Sequence, residues 1–203
     1  MPKDTFNKLN EDKKSRITQA IINEVSKTSF EYVNIQNIIK DANIPRGSFY
    51  QYFEDKMDMY EYIMDYISSI KRYYFKSIFE AVNLNFIERI EAIYLAGIKF
   101  KSENPDFVRA GEFMLKSPLY LDNPSVTKGL EQMISIYESW IINDQEKKII
   151  NDKINPRVLA TMVLELLNKL TIDSFVHHKL DDTSYETSIK MMIEIFKRGI
   201  SYV

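Results

Sequence analysis

Apolar residues return every three or four positions along almost the whole chain, and no stretch alternates apolar with polar as a half-buried strand would. The spacing predicts about nine helices. The first runs from about Asn10 to Lys27, with Ile17, Ile21 and Val25 four apart on one face. A second, about Ile35 to Asp41, follows Asn34, a residue suited to capping a helix start. A third, about Arg46 to Phe53, follows Asn43-Ile44-Pro45, where proline is placed to open a helix. A fourth, about Lys56 to Val82, carries Tyr60, Ile63, Ile67, Ile70 and Tyr74 on one stripe. Five more are expected over 86–103, 106–116, 125–151, 156–178 and 184–201, with Pro105, Pro118, Pro124 and Pro156 at junctions rather than inside periodic stretches. Residues 1–9 read as a short mobile arm. The expected fold is all-α.

Composition narrows the chemistry. With 203 residues the chain can bury a sizeable core, and five Gly and six Pro argue against a turn-rich β fold. The absence of Cys removes disulfides, thiolate-ligated metals and thiol catalysis together. His177 and His178 are neighbours and point apart on a helix; Asp173, four before His177, offers at most a two-ligand pair, and the plainer reading is a polar helix end. No Gly-rich phosphate loop or zinc-protease motif is present, so no metal, no cofactor and no enzymatic activity are expected. No apolar stretch is long enough to span a bilayer and the start lacks the apolar run of an export signal, so the expected location is the cytoplasm, without membrane contact. The net charge of −2 gives no global sign of a nucleic-acid partner.

The stretch from Asn34 to Phe53 is the most informative. It places two short helices around a tight turn, with Ile38, Ala42, Ile44 and Phe49 at offsets that form an inner face. Asn43 tolerates the left-handed conformation such a turn demands, although glycine would adopt it at less cost. This is the geometry of a helix-turn-helix, whose second helix enters the DNA major groove, and equally that of an ordinary helical hairpin.

The wider string Gly47-Ser48-Phe49-Tyr50-Gln51-Tyr52-Phe53-Glu54-Asp55-Lys56, following Ala42, resembles the N-terminal domain of the TetR family of bacterial transcriptional regulators. Ala42, Gly47, Ser48, Phe49, Tyr50, Tyr52, Phe53 and Lys56 match that family's pattern, while Ser29, Ile39, Asn43 and Pro45 depart from it. The resemblance implies a three-helix headpiece over residues 1–56 and a helical ligand-binding and dimerisation domain over 57–203. It implies that Arg46, Gly47, Ser48 and Gln51 meet base edges, Arg46 pairing with guanine and Gln51 with adenine. Tyr50, Tyr52 and Lys56 would line the phosphates, with Asn34 and Gln36 adding contacts from the preceding helix. Phe49 and Phe53 are expected in the core. Through Lys56 there are nine basic and eight acidic residues, against 18 and 21 beyond it, so a slightly basic headpiece sits on an acidic body.

In the remaining chain the aromatic residues Tyr94, Phe107, Phe113, Tyr137, Trp140 and Phe175, with Met114 and Met162, either fill a core or enclose an apolar pocket. The resemblance favours a pocket for a small effector, apolar or aromatic. Leu159, Leu166 and Leu170 on one helix and Ile189, Ile193 and Phe196 on the next form stripes suited to an intramolecular core or a partner. In the family these helices build a two-fold dimer interface. Both helices carry further apolar residues on other faces, Leu167, Met191 and Ile195. The expected function is a ligand-responsive regulator, a repressor, that binds a pseudo-palindromic site in double-stranded DNA as a homodimer. The alternative is a helical interaction module or a non-metal enzyme that keeps a relic headpiece.

Overall fold

The computed structural model describes residues 2–115, 117, 124–175 and 181–200. Among them are ten α-helices and no strand: α1 (Asp4–Asn7), α2 (Glu11–Val25), α3 (Ile35–Asp41), α4 (Arg46–Tyr52), α5 (Lys56–Glu80), α6 (Phe86–Glu103), α7 (Pro105–Leu115), α8 (Pro124–Glu146), α9 (Pro156–Phe175) and α10 (Asp182–Ile200). A single 3-10 turn, Phe30–Tyr32, precedes α3. No helix among the described residues is long and apolar enough to cross a membrane.

Polar side chains set most of the helix starts. Asn10, Asn34 and Asp55 each accept a first-turn N–H, at the heads of α2, α3 and α5. Asn85 and Glu88 bond reciprocally at the head of α6, at 2.9 and 2.8 Å. Asn155 caps α9, whose first residue is Pro156, and Asp181 caps α10.

Helix α1 corrects the expectation of a mobile arm. Residues 4–7 form α1, and Phe6 is only 1% exposed. Its ring lies 5.1 Å from Phe53 and 5.0 Å from Tyr62, so burial of one aromatic side chain orders an otherwise polar segment.

The chain packs as two compact units: Met1–Tyr74 with Phe100–Ser117, and Phe75–Lys99 with Pro118–Val203. This division by packing falls elsewhere than the boundary expected after Lys56, because α5 and α6 each contribute to both units and α7 packs on α2. The first unit is centred on Ile17, Ile21, Ile38, Phe49, Phe53 and Ile63, all fully buried. In the second, Phe86, Ile90, Ile141, Ala160, Val163 and Ile189 form the core. There Arg89 is buried and donates to the carbonyls of Ile78, at 2.5 Å, and Ala81, tying the end of α5 to α6. Asp144 of α8 is also buried, and accepts the N–H of Phe86 at 2.6 Å.

Candidate nucleic-acid interface

The turn between α3 and α4 shows why this sequence makes two helices rather than one. Asn43 has φ 48°, the left-handed conformation that ends a helix. Its N–H donates to the Lys40 carbonyl at 3.1 Å and the Ile44 N–H to the Ile39 carbonyl at 3.1 Å, closing α3 in a Schellman arrangement with Ile44 turned inward. Arg16 of α2 reaches the turn and donates from Nε to the Ala42 carbonyl at 2.9 Å. Pro45 then opens α4, and its carbonyl accepts the Ser48 N–H at 2.9 Å.

The start of α3 is fixed by a residue the sequence did not single out. Glu24 is buried, and its carboxylate accepts the Asn34 N–H at 2.9 Å and the Asn37 amide at 3.1 Å. A polar residue at the buried end of an otherwise apolar stripe in α2 was the available signal. Asn34 is exposed, but its side chain is engaged as the cap, accepting the Gln36 N–H at 2.9 Å. It positions α3 rather than standing free.

On α4 the side chains divide sharply. Phe49, Tyr52 and the following Phe53 are buried, whereas Arg46, Gly47, Tyr50 and Gln51 are exposed and Ser48 is half-buried. At 100° per residue, positions 46, 47, 50 and 51 share one broad face. Among the described residues, the side chains of Arg46, Ser48, Gln51 and Gln36 and the Tyr50 hydroxyl have no polar partner. The Tyr50 ring packs edge-on against Phe49 at 5.3 Å yet stays 52% exposed, which presents its hydroxyl to solvent. Gly47 is helical, and a Cβ there would meet nothing within 4 Å. The fold of this chain therefore does not require glycine at that position.

Two expected phosphate-lining residues sit differently. Tyr52 is only 5% exposed, its ring 5.9 Å from Phe6 and 5.7 Å below the Lys13 ammonium. Its spacing of three from Phe49 already put it on the inward face. Lys56 is half-buried: its ammonium donates to the Glu31 carbonyl at 3.1 Å and lies 4.7 Å over the Phe30 ring, so it fastens the 3-10 turn to the start of α5.

The expected ligand-lining residues are drawn from both units. Tyr94, Tyr137 and Trp140 belong to the second unit, while Phe107 and Phe113 belong to the first. Tyr137 is stacked on Trp140 at 5.4 Å, and burial pushes its phenol up to about 12, so it stays neutral. Trp140 is further enclosed by Phe79 at 5.2 Å and by the Arg89 guanidinium at 4.7 Å. Met162 is 55% exposed on the outer side of α9 and lines no interior. The side chains of Met114 and Phe175 lie outside the described residues, as do His177 and His178. Asp173 accepts from the Lys169 ammonium at 2.8 Å.

The expected dimer stripes lie largely against their own chain. Leu159, Ile189 and Ile193 are buried in their own chain, and Leu170 and Phe196 pack against the same core. Of the six, Leu166 alone is exposed. The exposed apolar surface joins Leu166 to Val158 and Met162, four apart on α9, and includes Met191 and Ile195, four apart on α10. Most of each amphipathic stripe goes to its own core, while Met162 and Leu166 of the α9 stripe stay exposed.

No protein-family model matches the sequence, and no match is found among curated proteins. The fold, in contrast, recurs among solved structures. A TetR family transcriptional regulator from Chloroflexus aurantiacus superposes with TM-score 0.67 at 22% identity, covering 98% of both chains. A TetR-like transcriptional regulator from Rhodococcus sp. RHA1 gives TM-score 0.71 at 10% identity, over 94% of this chain and 98% of that one. A fatty acid degradation regulator from Bacillus halodurans gives TM-score 0.70 at 13% identity, over 97% and 100%. The chain has the all-helical fold of TetR-family regulators along nearly its whole length.

Proposed function

We propose that this chain is a DNA-binding transcriptional regulator, a repressor that binds a pseudo-palindromic operator as a homodimer and releases it when a small molecule binds. One observation carries this reading: within a TetR-like fold, α4 presents a face of exposed side chains with unpaired polar groups, Arg46, Tyr50 and Gln51, around a glycine that the chain's own packing does not require. Arg46 has the donors to pair with guanine and Gln51 the amide to pair with adenine, and Tyr50 offers a hydroxyl to phosphate. Gly47 lets the backbone approach the DNA.

In this reading residues 1–56 read DNA and residues 57–203 bind the effector and the second copy. The exposed apolar stripes on α9 and α10 suit the second copy, and two headpieces one DNA turn apart suit a two-fold operator. Pairing matters energetically because a headpiece with one more cation than anion binds a single half-site weakly, and the second headpiece then acts at high effective concentration. The effector class is apolar or aromatic, consistent with the aromatic-rich helices beyond residue 57. The effector acts only through its differential affinity for two arrangements of the protein, with α5 as the connecting element.

The test is selection of genomic DNA fragments by the purified protein, followed by titration of the selected duplex at several salt concentrations. The expected result is one pseudo-palindromic motif, bound with a steep salt dependence and far more tightly than a scrambled duplex. Binding that ignores sequence would point instead to a helical interaction module with a relic headpiece. Operator affinity indifferent to every small molecule that binds the protein would remove the control scheme.

A further inference from the structure

In the first unit, α4 is too short to hold itself. It has seven residues, and an isolated helix of that length is unstable in water. Pro45 gives it no side-chain cap, unlike the Asn and Asp residues that head α2, α3 and α5. Its last carbonyls have no acceptor role inside the helix and must find donors elsewhere. Three successive ones do. The Lys3 N–H donates to the Tyr52 carbonyl at 2.8 Å, the Lys3 ammonium to the Tyr50 carbonyl at 3.1 Å, and the Thr5 hydroxyl to the Gln51 carbonyl.

Phe6 anchors this segment. Its fully buried ring touches Tyr52 at 5.9 Å, Phe53 at 5.1 Å and Tyr62 of α5 at 5.0 Å. Burial of the ring supplies the holding force without direction, and the three hydrogen bonds supply direction. Two of the bonded carbonyls belong to Tyr50 and Gln51, the residues whose side chains form half of the exposed face. A cation at a helix C-terminus also complements the helix dipole.

Resting on the reading of α4 as the DNA-reading helix, we propose that Lys3–Phe6 is a latch: it fixes the C-terminal end of α4 and with it the bearing of Tyr50 and Gln51. Thr5 and Phe6 are then positioning residues for operator discrimination that need not touch DNA. Lys3 is a poor probe of this role, because its charge would itself attract phosphate.

The test compares the full chain with its Phe6→Ala, Phe6→Leu and Thr5→Val variants, at a temperature where circular dichroism shows each folded. Two quantities are read: the ratio of affinities for a selected genomic duplex and a scrambled one, and hydrogen exchange of the amides of residues 49–53. Phe6→Ala is expected to lower the ratio about tenfold and to speed exchange at 49–53 while leaving α9 unchanged. Thr5→Val should move both in the same direction by about threefold, and Phe6→Leu should return the ratio to within about threefold of the parent. If Phe6→Ala does not fold, Thr5→Val carries the same test. An unchanged ratio in a folded variant overturns the latch and leaves the DNA reading intact. Equal loss on both duplexes overturns it as well, making the segment a phosphate contact. A parent protein that prefers no duplex removes the reading of α4 and the latch with it.

Discussion

Helices α4 and α9 both leave a face exposed, and the two faces are opposites. On α4 the exposed positions carry polar groups without partners on a short helix held from outside by Lys3, Thr5 and Phe6. On α9, a 20-residue helix capped by Asn155, exposed Val158, Met162 and Leu166 form an apolar row beside the charged Glu165 and Lys169. A free polar face suits a hydrated, charged partner met reversibly, since its hydrogen bonds are exchanged with water at little net gain. An apolar face gains from leaving water altogether and suits a protein surface of the same kind. The difference teaches that exposure alone does not define a site; the chemistry of what is exposed sorts the partners.

The largest effect should come from reversing the apolar face. Met162→Glu combined with Ile195→Glu, at positions 55% and 64% exposed, is expected to leave the fold intact and give a monomer by light scattering. In the proposed reading, affinity for the selected duplex should then fall by about 10²-fold or more, the loss expected when one headpiece no longer raises the effective concentration of the other. A dimer that persists would show that these stripes are not the interface.

Within α4, Arg46→Ala should cost about 1–3 kcal/mol on the selected duplex and little on a scrambled one, with thermal stability unchanged. Similar loss on both would make Arg46 a phosphate contact. Gly47→Ala separates the needs of the fold from those of the partner. A methyl group there meets open space, and alanine favours a helix by about 1 kcal/mol over glycine, so the melting temperature should stay or rise while, in the proposed reading, binding to the selected duplex weakens. Binding equal to the parent's would end the argument that glycine serves close approach.

The smallest effect contrasts the free polar groups of α4 with an enclosed one. Burial raises the Asp144 carboxyl above the usual carboxylate range, against the lowering effect of the Phe86 N–H. A group raised in the folded state contributes most below its unfolded value and loses that contribution as pH rises through the folded one. Asp144→Asn keeps an acceptor for the Phe86 N–H and removes the titration. Stability measured from acid to neutral pH should therefore gain relative to the parent as pH rises. A parallel pair of curves would show that the hydrogen bond offsets the burial.

Much of this was legible in the sequence. The boundaries of α3 and α6 agree with those read from periodicity and caps, because Asn34, Asn43, Asn85 and the prolines act locally. The resemblance, rather than spacing, implies the outward face of Arg46, Gly47 and Gln51, while the inward place of Phe49 follows from its offset to Ile38, Ala42 and Ile44. What local pattern leaves open has one cause. Phe6 looked like part of a polar arm because its partners, Tyr52, Phe53 and Tyr62, lie far along the chain. Leu159, Ile189 and Ile193 looked as suited to a partner as to a core, since an apolar stripe has the same pattern whichever surface buries it.

The sequence by itself determined that the chain is helical, where most helices begin, and which side of α4 is polar, because caps, turns and periodicity depend on residues within a few positions. Only the tertiary structure decided that Lys3 and Thr5 bond the end of α4, that Tyr52 and Lys56 serve the interior and the turn, and which residues of α9 and α10 remain exposed. Those outcomes depend on which distant surfaces compete for the same side chains, and burial is settled by the whole packing rather than by local pattern.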